Sequence, residues 1–456
     1  MNTAAPISPE VSKKGLRRNI FAGAIGVLVH WFDWAIYAYL ATTISHVFFP
    51  QQSESAALLS VFAVFAVAFL VRPFGSIIFG HLGDTLGRKK TLSLVIILMA
   101  AGTLMLGLIP SYESIGIWAP ILLVTARIIQ GIAAGGEFGS AAAFLAEYSP
   151  PKKRGFGCSW IEFGSVLGFL LASVVVAGMH AAAPPETIEA GLWRLPFLLT
   201  VPLAAVGLYI RLKIEDTPEY QALQEMETVA SAPIAEVFRK NKTQFFQTIG
   251  VEIFMNCTFY VVLVYLITYQ ESMVGMPPAQ AALLSTIASL TAIAIIPGAG
   301  ILSDRVGRKP VLITAGILLV SLAWPLFTYM NSGTALAGFI STFGLAAILS
   351  LILGTHASTV AELFPTRTRQ SGLSMAYSIA GAFFAGTLPY INTWLIGATN
   401  NHMIPAYTLM VVGAIGLITL STMPETRGRN LLHDSDIASS TDAISNPTAV
   451  RQTEGV

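Results

Sequence analysis

The stretch GDTLGRKKT at residues 83–91 returns as SDRVGRKPV at residues 303–311. Four residue types keep their spacing, and the members of each pair lie 220 positions apart: Asp84 and Asp304, Gly87 and Gly307, Arg88 and Arg308, Lys89 and Lys309. A second pair of stretches, AEYSPPKKRGFGCS (146–159) and AELFPTRTRQSGLS (361–374), matches at an offset of 215. The chain therefore consists of two sequence-related halves in parallel order.

The composition is that of a membrane protein. The 456-residue chain is 54% hydrophobic and only 11% charged, whereas soluble domains carry about 25% charged residues. Lipid must therefore solvate most of its surface. A net charge of +1 gives no support to nucleic-acid binding. The two cysteines, Cys158 and Cys257, show neither metal-ligand spacing nor a disulfide framework, so we expect no metal and no cofactor.

The hydrophobic stretches predict an all-α membrane protein with 12 transmembrane helices. A bilayer core needs about 20 apolar residues per helix, and an open sheet would leave backbone groups unsatisfied in lipid. The predicted spans cover residues 20–46, 56–80, 91–110, 118–147, 157–180, 193–210, 244–270, 279–302, 311–330, 334–361, 371–397 and 404–423.

The basic residues predict the orientation. Of the 26 Lys and Arg residues, 23 lie in the two tails or in every second loop. Only Arg72, Arg127 and Arg194 fall within or at the edge of a span. The positive-inside rule then places both termini in the cytoplasm. We expect a multi-pass protein of a bacterial-type inner membrane.

The halves predict two six-helix bundles joined by a cytoplasmic linker. The expected parts are a cytoplasmic tail, the first bundle, the linker, the second bundle and a disordered cytoplasmic tail, over residues 1–19, 20–210, 211–243, 244–423 and 424–456. Transporters built from such repeats bind substrate between the halves near the bilayer midplane and rock one half against the other. We expect a monomer whose partners are a small-molecule substrate, protons and the lipid bilayer.

Several stretches resemble the major facilitator superfamily and, within it, the metabolite:proton symporter family of proline/betaine, dicarboxylate, citrate and shikimate carriers. The loop GHLGDTLGRKK (80–90) is similar to the superfamily signature. More specific strings are FDWAIYAYLATTISHVFFP (32–50), VRPFGSIIFGHLGD (71–84), RIIQGIAAGGEFGSAAAFLAEYSPPKKRGF (127–156), WRLPF (193–197), EDTPEY (215–220) and ELFPTRTRQSGLS (362–374). The stretch RGFGCSWIEFGSVLGF (154–169) looks most like the osmolyte carriers.

Charged residues recur at the cytoplasmic ends of both halves. A Glu at the end of a helix is unfavourable with the helix dipole and needs a cation. We expect an ion-pair network that latches one conformation, with a solvated basic face as the alternative. The predicted gate residues are Asp84, Arg88, Glu147, Arg154, Asp304, Arg308, Glu362 and Arg369.

Ionisable residues also lie at membrane depth, where each costs about 2.5–3.5 kcal/mol on insertion scales and is a functional candidate. They are Asp33, Arg72, Arg127, Glu137, Glu162 and Glu252. All but Glu252 belong to the first half. We therefore expect proton and carboxylate chemistry in the first half and a polar, aromatic wall from the second.

Asp33 and Arg127 lie at similar depth, so they can pair if their helices face each other. The resemblance implies the same pairing, because an Asp of span one and an Arg of span four pair in related proton-coupled sugar carriers. Burial favours the protonated form of a carboxyl group, whereas a nearby guanidinium favours the ionised form. Movement of Arg127 would let Asp33 take up a proton, although a static packing pair is the alternative.

Arg72 and Glu137 leave two interpretations open. They can form a second pair, with Glu137 taking part in proton coupling, or Arg72 can bind a substrate carboxylate through two hydrogen bonds. Gly135 and Gly136 precede Glu137 and also permit close helix packing.

The second half offers candidates for the substrate cavity. Glu252, Asn256 and Tyr260 recur at i, i+4 and i+8, which predicts one polar helix face. This face lines the cavity or makes an interhelical hydrogen bond. Tyr377 and His356 are further lining candidates.

Aromatic residues crowd the first span. Trp34 and Tyr37 lie about one turn from Asp33, and aromatic faces suit a quaternary ammonium group. Packing or interfacial anchoring is the commoner role of membrane aromatics.

Together these features favour proton symport of a small carboxylate-bearing metabolite. A zwitterionic osmolyte such as proline or betaine is preferred, because a tricarboxylate would want more buried cations. The alternatives are a di- or tricarboxylate or shikimate-type carrier, a drug/proton antiporter, and a non-transporting sensor. The antiporter is disfavoured because span five has no proline. No nucleophile–base set is present in the sequence, so we do not expect an enzyme.

Overall fold

The computed structural model describes residues 13–212, 233–366, 368–429 and 431. Within these ranges the regular elements are helices, and no strand is present. Ten helices of the described chain are long and apolar enough to cross a membrane. The all-helical prediction is confirmed, whereas the count of twelve spans stays a prediction.

The long helices are numbered here in chain order, and several run as consecutive segments. In the first half they are α1 (Lys13–Tyr39, then Ala41–Phe48), α2 (Glu54–Leu70, then Arg72–Leu86), α3 (Arg88–Leu108), α4 (Trp118–Ala134, then Glu137–Tyr148), α5 (Arg154–Ala182) and α6 (Arg194–Leu212). In the second half they are α7 (Lys242–Phe259, then the π-helix Tyr260–Tyr265 and Leu266–Ser272), α8 (Pro278–Val306), α9 (Arg308–Met330), α10 (Ala335–Ala361), α11 (Arg369–Ala380, then the π-helix Gly381–Ala385 and Leu388–Thr399) and α12 (Ile404–Thr422).

Short helical segments lie between them. They are Tyr112–Ile115, the 3₁₀-helix Pro151–Lys153, Pro185–Thr187, the π-helix Ile188–Leu192 and Pro233–Lys240.

Breaks inside the long helices position the candidate site. In α2, Pro73 lacks the N–H that would continue the helical ladder, and the second segment begins at Arg72. In α4, the chain turns at Gly135 and Gly136, and the second segment begins at Glu137. Irregular backbone at such depth is tolerated where it is buried or lines a cavity. The breaks thus place ionisable side chains at the middle of the bundle.

The repeat retains glycine at the turn between α2 and α3 and at the turn between α8 and α9. Gly87 has φ 102° and Gly307 has φ 110°, a region of backbone conformation that disfavours residues with a Cβ atom. Both turns end one helix and begin the next with an arginine, Arg88 or Arg308. The glycine that recurs in both halves is therefore explained by the positive φ angle that each turn requires.

The two halves pack through repeat-related contacts. The helix α5 packs on α8 and α10, and α11 packs on the second segments of α2 and α4. Glycine permits the closest approaches, because a Cβ atom at Gly139 would collide with the Ser374 backbone. A Cβ atom at Gly155 would likewise collide with the Gly300 carbonyl oxygen. These contacts gather at the end of the bundle where α5, α9 and α11 begin, which we call the basic end.

Candidate functional site

A hydrogen-bonded chain of polar side chains crosses the buried core of the first half. Arg127 Nη1 donates to Gln130 Oε1 at 3.0 Å, and Gln130 Nε2 donates to Asp33 Oδ2 at 2.7 Å. The same Nε2 donates to Thr103 Oγ1 at 2.8 Å. Thus α1, α3 and α4 meet at the Gln130 amide. Among the described side chains, Asp33 and Arg127 do not form a direct ion pair.

Asp33 and Arg127 lie close together in the structure and are joined through Gln130, which the sequence did not single out. The predicted direct pair between these two described residues is not formed, because the contact runs through the amide of Gln130. Their role in proton coupling stays a prediction. Gln130 lies three positions after Arg127, a spacing that puts both on one helix face. A polar residue at that spacing within an apolar span was the available signal.

Two of the protein's own arginines lie over the faces of three aromatic rings. The Arg72 Cζ atom lies 4.2 Å from the centre of the Trp34 ring and 3.8 Å from that of Phe69. The Arg127 Cζ atom lies 3.6 Å from the Tyr37 ring centre, and the Tyr37 hydroxyl donates to the Val61 carbonyl at 3.1 Å. Cation–π contact thus stabilises both buried guanidinium groups. A role for Trp34 and Tyr37 in substrate binding stays a prediction.

Glu137 does not form the ion pair with Arg72 that the sequence left open. Its Oε2 atom lies 2.7 Å from His30 Nδ1, and both side chains are 6% exposed. The contact is close in distance but is not aligned as a hydrogen bond, since His30 Nδ1 has no hydrogen-bond partner in the structure. His30 therefore takes the position beside Glu137 that Arg72 could have taken.

Arg72 consequently retains unused donors. It is 1% exposed, and its Nε and Nη2 atoms have no hydrogen-bond partner. Tyr260, Tyr377 and Glu137 lie within electrostatic reach of its charge. A buried guanidinium that lacks partners is costly unless a ligand or water satisfies it.

The second half supplies a polar wall opposite these arginines. Asn256 Nδ2 donates to Glu252 Oε2 at 3.2 Å, while Glu252 Oε1 and the Tyr260 hydroxyl are buried without a partner. The predicted polar face of α7 therefore exists, and its side chains remain available for further hydrogen bonds.

His356 and Glu162 join the two halves near this wall. His356 Nε2 lies 3.6 Å from Glu162 Oε1, and both side chains are buried. Phe138 of α4 lies between two rings of the second half, 5.5 Å from His356 and 4.2 Å from Tyr377, centre to centre. Sequence reasoning missed Phe138, because an aromatic residue in a small-residue helix carries no signal of its partners.

Two reciprocal ion pairs join the halves at the basic end. Arg154 Nη1 donates to Glu362 Oε1 at 3.0 Å, and Arg369 Nη1 donates to Glu147 Oε1 at 2.7 Å. The repeat relates Arg154 to Arg369 and Glu147 to Glu362, so the two halves exchange equivalent contacts. Both arginines also donate through Nε at 3.0 Å to the carbonyl preceding the Glu of their own half.

Asp304 and Arg308 extend this network. The Asp304 carboxylate accepts from the Gly155 and Phe156 N–H groups, each at 2.9 Å, where it complements the positive start of α5. Arg308 donates to Asp304 at 2.7 Å and to both Glu362 oxygens at 3.3 Å. The structure thus brings together the predicted charges, although the side chains of Asp84 and Arg88 lie outside the described residues.

The beginning of the C-terminal tail also contacts this network, which the prediction of a disordered tail from residue 424 did not anticipate. The Arg429 carbonyl accepts from Arg154 Nη1 at 3.1 Å. The Leu431 carbonyl accepts from Arg369 Nη2 at 3.2 Å, and Leu431 is buried. Residues 432–456 lie outside the described part of the chain.

A family model for sugar (and other) transporters matches residues 19–237 and 221–435. The chain belongs to this transporter family. The resemblance to the major facilitator superfamily inferred from its sequence is thereby confirmed, and the chain is a transporter and not an enzyme.

Bacterial transporters of known type share much of the sequence of this transporter. It is 38% identical to the proline/betaine transporter of Salmonella typhimurium over 425 residues, which cover 91% of this chain and 85% of that one. It is 39% identical to the glycine betaine/proline/ectoine/pipecolic acid transporter OusA of Dickeya dadantii, with the same coverage. The ectoine/proline transporter ProP of Corynebacterium glutamicum is 34% identical, over 92% of this chain and 86% of that one. These similarities and the apolar helices indicate a multi-pass protein of the bacterial inner membrane.

Solved structures share the fold of this transporter. The proton:xylose symporter XylE bound to 6-bromo-6-deoxy-D-glucose superposes with a TM-score of 0.77 at 20% identity, over 91% of this chain and 97% of that one. A partially occluded inward-open XylE from E. coli gives a TM-score of 0.71 at 19% identity, over 91% and 99% of the two chains.

Proposed function

We propose that this transporter is a proton symporter for a small zwitterionic carboxylate of the proline or betaine type. The substrates in the names of its bacterial relatives support this class. The site contains a buried cation with free donors on one side and buried acids on the other. Such a site matches a molecule that carries a carboxylate and an ammonium group.

The proposal includes the topology. We propose twelve spans with the basic end and both termini in the cytoplasm, arranged as two six-helix bundles that rock about a central site. The positive-inside asymmetry of the sequence and the concentration of arginines at the basic end support this orientation. We also propose that one chain is the transporting unit.

The observation that carries the proposal is the state of Arg72. Its guanidinium is buried between the halves, has two unpartnered nitrogens, and has no ion pair among the described side chains. A substrate carboxylate can accept two hydrogen bonds from one guanidinium and satisfy both. Tyr260 and Tyr377 of the second half lie within reach of the same charge, so a carboxylate bound there would contact both halves.

The acids of the site supply the complementary charge. Glu252 lies within electrostatic reach of Glu162, and Tyr377 lies within reach of Arg72, Glu162 and Glu252. A substrate ammonium near these acids would favour their ionised form. Arg72 and the two acids would then bind opposite ends of one zwitterion.

Proton coupling would use the Asp33 network of the first half. A proton on Asp33 removes the charge that holds Gln130 and Arg127, and any change in substrate affinity that follows must be matched by an equal change in proton affinity. Glu137 beside His30 is a second candidate for proton exchange. The proton and the substrate would then be carried in the same direction when both favour closure of the halves.

A decisive test is uptake into proteoliposomes under an imposed inward proton gradient. We expect accumulation of proline or betaine above equilibrium, abolished by collapse of the gradient, when these are screened beside 2-oxoglutarate, citrate and shikimate. Accumulation of a substrate that lacks a carboxylate, or accumulation insensitive to the proton gradient, would contradict the proposal.

A dicarboxylate is the second candidate, and one observation favours it. Arg127 is buried, and its Nε and Nη2 atoms also lack hydrogen-bond partners. Two guanidinium groups with free donors could bind two carboxylates. Preferential accumulation of 2-oxoglutarate or citrate in the same screen would favour this candidate.

Replacement of Arg72 should weaken substrate binding. A hydrogen bond to a charged group contributes about 1.5–3 kcal/mol, so Arg72→Gln should raise the KM for uptake about 10- to 100-fold. Arg72→Lys keeps the charge but loses the paired donors, and we expect an intermediate KM. The measurement is the concentration dependence of initial uptake.

Arg194→Gln provides a matched control. Arg194 is only partly buried and donates to the Ile109 carbonyl at 3.1 Å, away from the central site. An unchanged KM in Arg72→Gln, or an equal rise in Arg194→Gln, would remove Arg72 from the substrate site.

A further inference from the structure

The orientation of the Gln130 amide is fixed by its neighbours. A guanidinium only donates hydrogen bonds, so the Gln130 oxygen must face Arg127, at 3.0 Å. The Thr103 hydroxyl donates to the Met99 carbonyl at 2.9 Å, which leaves its oxygen to accept from Gln130 at 2.8 Å. The Gln130 nitrogen therefore faces both Thr103 and Asp33.

This orientation of the Gln130 amide gives the row of hydrogen bonds a direction. Hydrogen bonds run from Arg127 to Gln130 and from Gln130 to Asp33 Oδ2, at 2.7 Å. The Gln130 nitrogen can donate but cannot accept, so a proton on Oδ2 would oppose it. Asp33 Oδ1 is buried without a partner and is the oxygen free to take a proton. Protonation would convert a charge-assisted hydrogen bond into a weaker neutral one.

We infer that Gln130 is a positioning residue through which the charge of Asp33 sets the position of the Arg127 guanidinium. The inference rests on the proposed proton coupling at Asp33. When Asp33 is ionised, Gln130 is held on α1 and keeps the Arg127 donor directed toward the first half. When Asp33 is protonated, this hold weakens, and Arg127, which already lies over the Tyr37 ring, is free to turn its donor toward substrate.

Packing supports a specific place for the amide. Gln130 is completely buried, and a Cβ atom at Gly102 would contact the Gln130 Cγ atom at 2.6 Å. The absence of a side chain at position 102 therefore makes room for Gln130. Gly102→Ala should displace the amide without changing its chemistry.

The charges around Asp33 bear on any pH dependence. Arg127 on α4 and His30 on α1 act directly on Asp33. Arg72 lies within electrostatic reach of Arg127, and Glu137 contacts His30. A change at Gln130 should therefore alter the pH dependence of transport only if it alters the link between Asp33 and Arg127.

The transport test compares Gln130→Met and Gln130→Glu with wild type in proteoliposomes. Methionine and glutamate are both similar in size to glutamine. Neither the apolar methionine nor an ionised glutamate can donate a hydrogen bond from the position of Nε2. We expect gradient-driven accumulation relative to substrate exchange to fall about tenfold, which corresponds to about 1.4 kcal/mol. We also expect the pH midpoint of exchange to move in Gln130→Glu, and Gly102→Ala to act in the same direction as Gln130→Met.

The control is Gln270→Met in the second half. Gln270 is equally buried and donates to Thr342 Oγ1 at 2.8 Å. If its loss changes accumulation and exchange as Gln130→Met does, or if Gln130→Met leaves their ratio and the pH midpoint unchanged, the inference is overturned.

A double-mutant cycle separates this inference from the proposed function. The thermal midpoints of wild type, Gln130→Met, Asp33→Asn and the double variant are measured in detergent. If Gln130 acts through the charge of Asp33, Gln130→Met should lower the midpoint much less in the Asp33→Asn background. Equal losses in both backgrounds would overturn the link. Failure of wild type to accumulate substrate would instead overturn the proposed symport, and the cycle would still decide whether the two side chains act together.

Discussion

Asp33→Asn should abolish gradient-driven accumulation while exchange of substrate across the membrane continues. Asparagine is similar in shape to aspartate and can still accept the hydrogen bond that Gln130 Nε2 donates to Oδ2 at 2.7 Å. It cannot take up or release a proton. The variant therefore keeps the packing of the core and loses the step that the proton gradient would drive.

The magnitude follows from the role. A symporter without its proton-binding group cannot use the gradient, so accumulation should fall to the equilibrium distribution, whatever the size of the gradient. Exchange needs only rocking of the loaded transporter, which does not require a net proton step. We expect exchange to persist, at a rate set by the altered charge near Arg127.

Glu113→Gln is a suitable control, because Glu113 is an exposed acid of the same half and its loss should leave accumulation intact. Full accumulation by Asp33→Asn would remove Asp33 from proton coupling and leave Glu137 as the candidate to test next. Loss of both accumulation and exchange would indicate a folding defect, which Asp33→Glu and the thermal midpoint would reveal.

The sequence indicated the ion-pair contacts of the basic end better than the contacts at the centre of the site. Repetition of Glu147 as Glu362 and of Arg154 as Arg369 marked these residues as related, and charge balance required each Glu to find a cation. The remaining question was which arginine pairs with which acid. In the structure, the arginine of each half pairs with the glutamate of the other half. A repeat favours this arrangement, because each contact then has an equivalent.

The contacts at the centre of the site could not be predicted from sequence patterns alone. Depth along a helix indicated that Asp33 and Arg127 could meet, but not that an amide would lie between them. The sequence left open whether Glu137 pairs with Arg72, and it gave no sign that His30 would lie beside Glu137 instead. Rotation of α1, and the break in α2 at Pro73, decide which side chain faces which. Those features depend on packing of the whole bundle.

Loss of the reciprocal ion pairs should open the basic end. Both pairs are buried, and both join one half to the other. If the halves separate there, all four side chains reach water, so the pairs stabilise only the closed arrangement. Removing one partner of a buried pair costs about 3–5 kcal/mol, because a charge remains buried without its partner. The cost falls on the closed state and shifts the population toward the open one.

A buried thiol beneath the network can report this opening. Cys158 is 0% exposed and lies within electrostatic reach of Arg154, Glu362 and Arg308. In a Cys257→Ala background it is the only cysteine of the chain. We expect Glu362→Gln and Glu147→Gln each to raise the rate of Cys158 alkylation by a maleimide at least about tenfold, since 1.4 kcal/mol already corresponds to that factor.

The control is Lys240→Gln, which removes an exposed ion pair with Glu236 at 3.1 Å on one helix. Exposed pairs contribute only about 0–1 kcal/mol, so alkylation of Cys158 should stay at the wild-type rate. The reciprocal design gives a stricter check. Glu147→Gln breaks a pair that does not include Arg154 or Glu362, yet it should expose Cys158, because separation of the halves breaks both pairs together. Alkylation that rises only in Glu362→Gln would mean that the pairs act locally, and the idea of one latch formed from two equivalent contacts would fail.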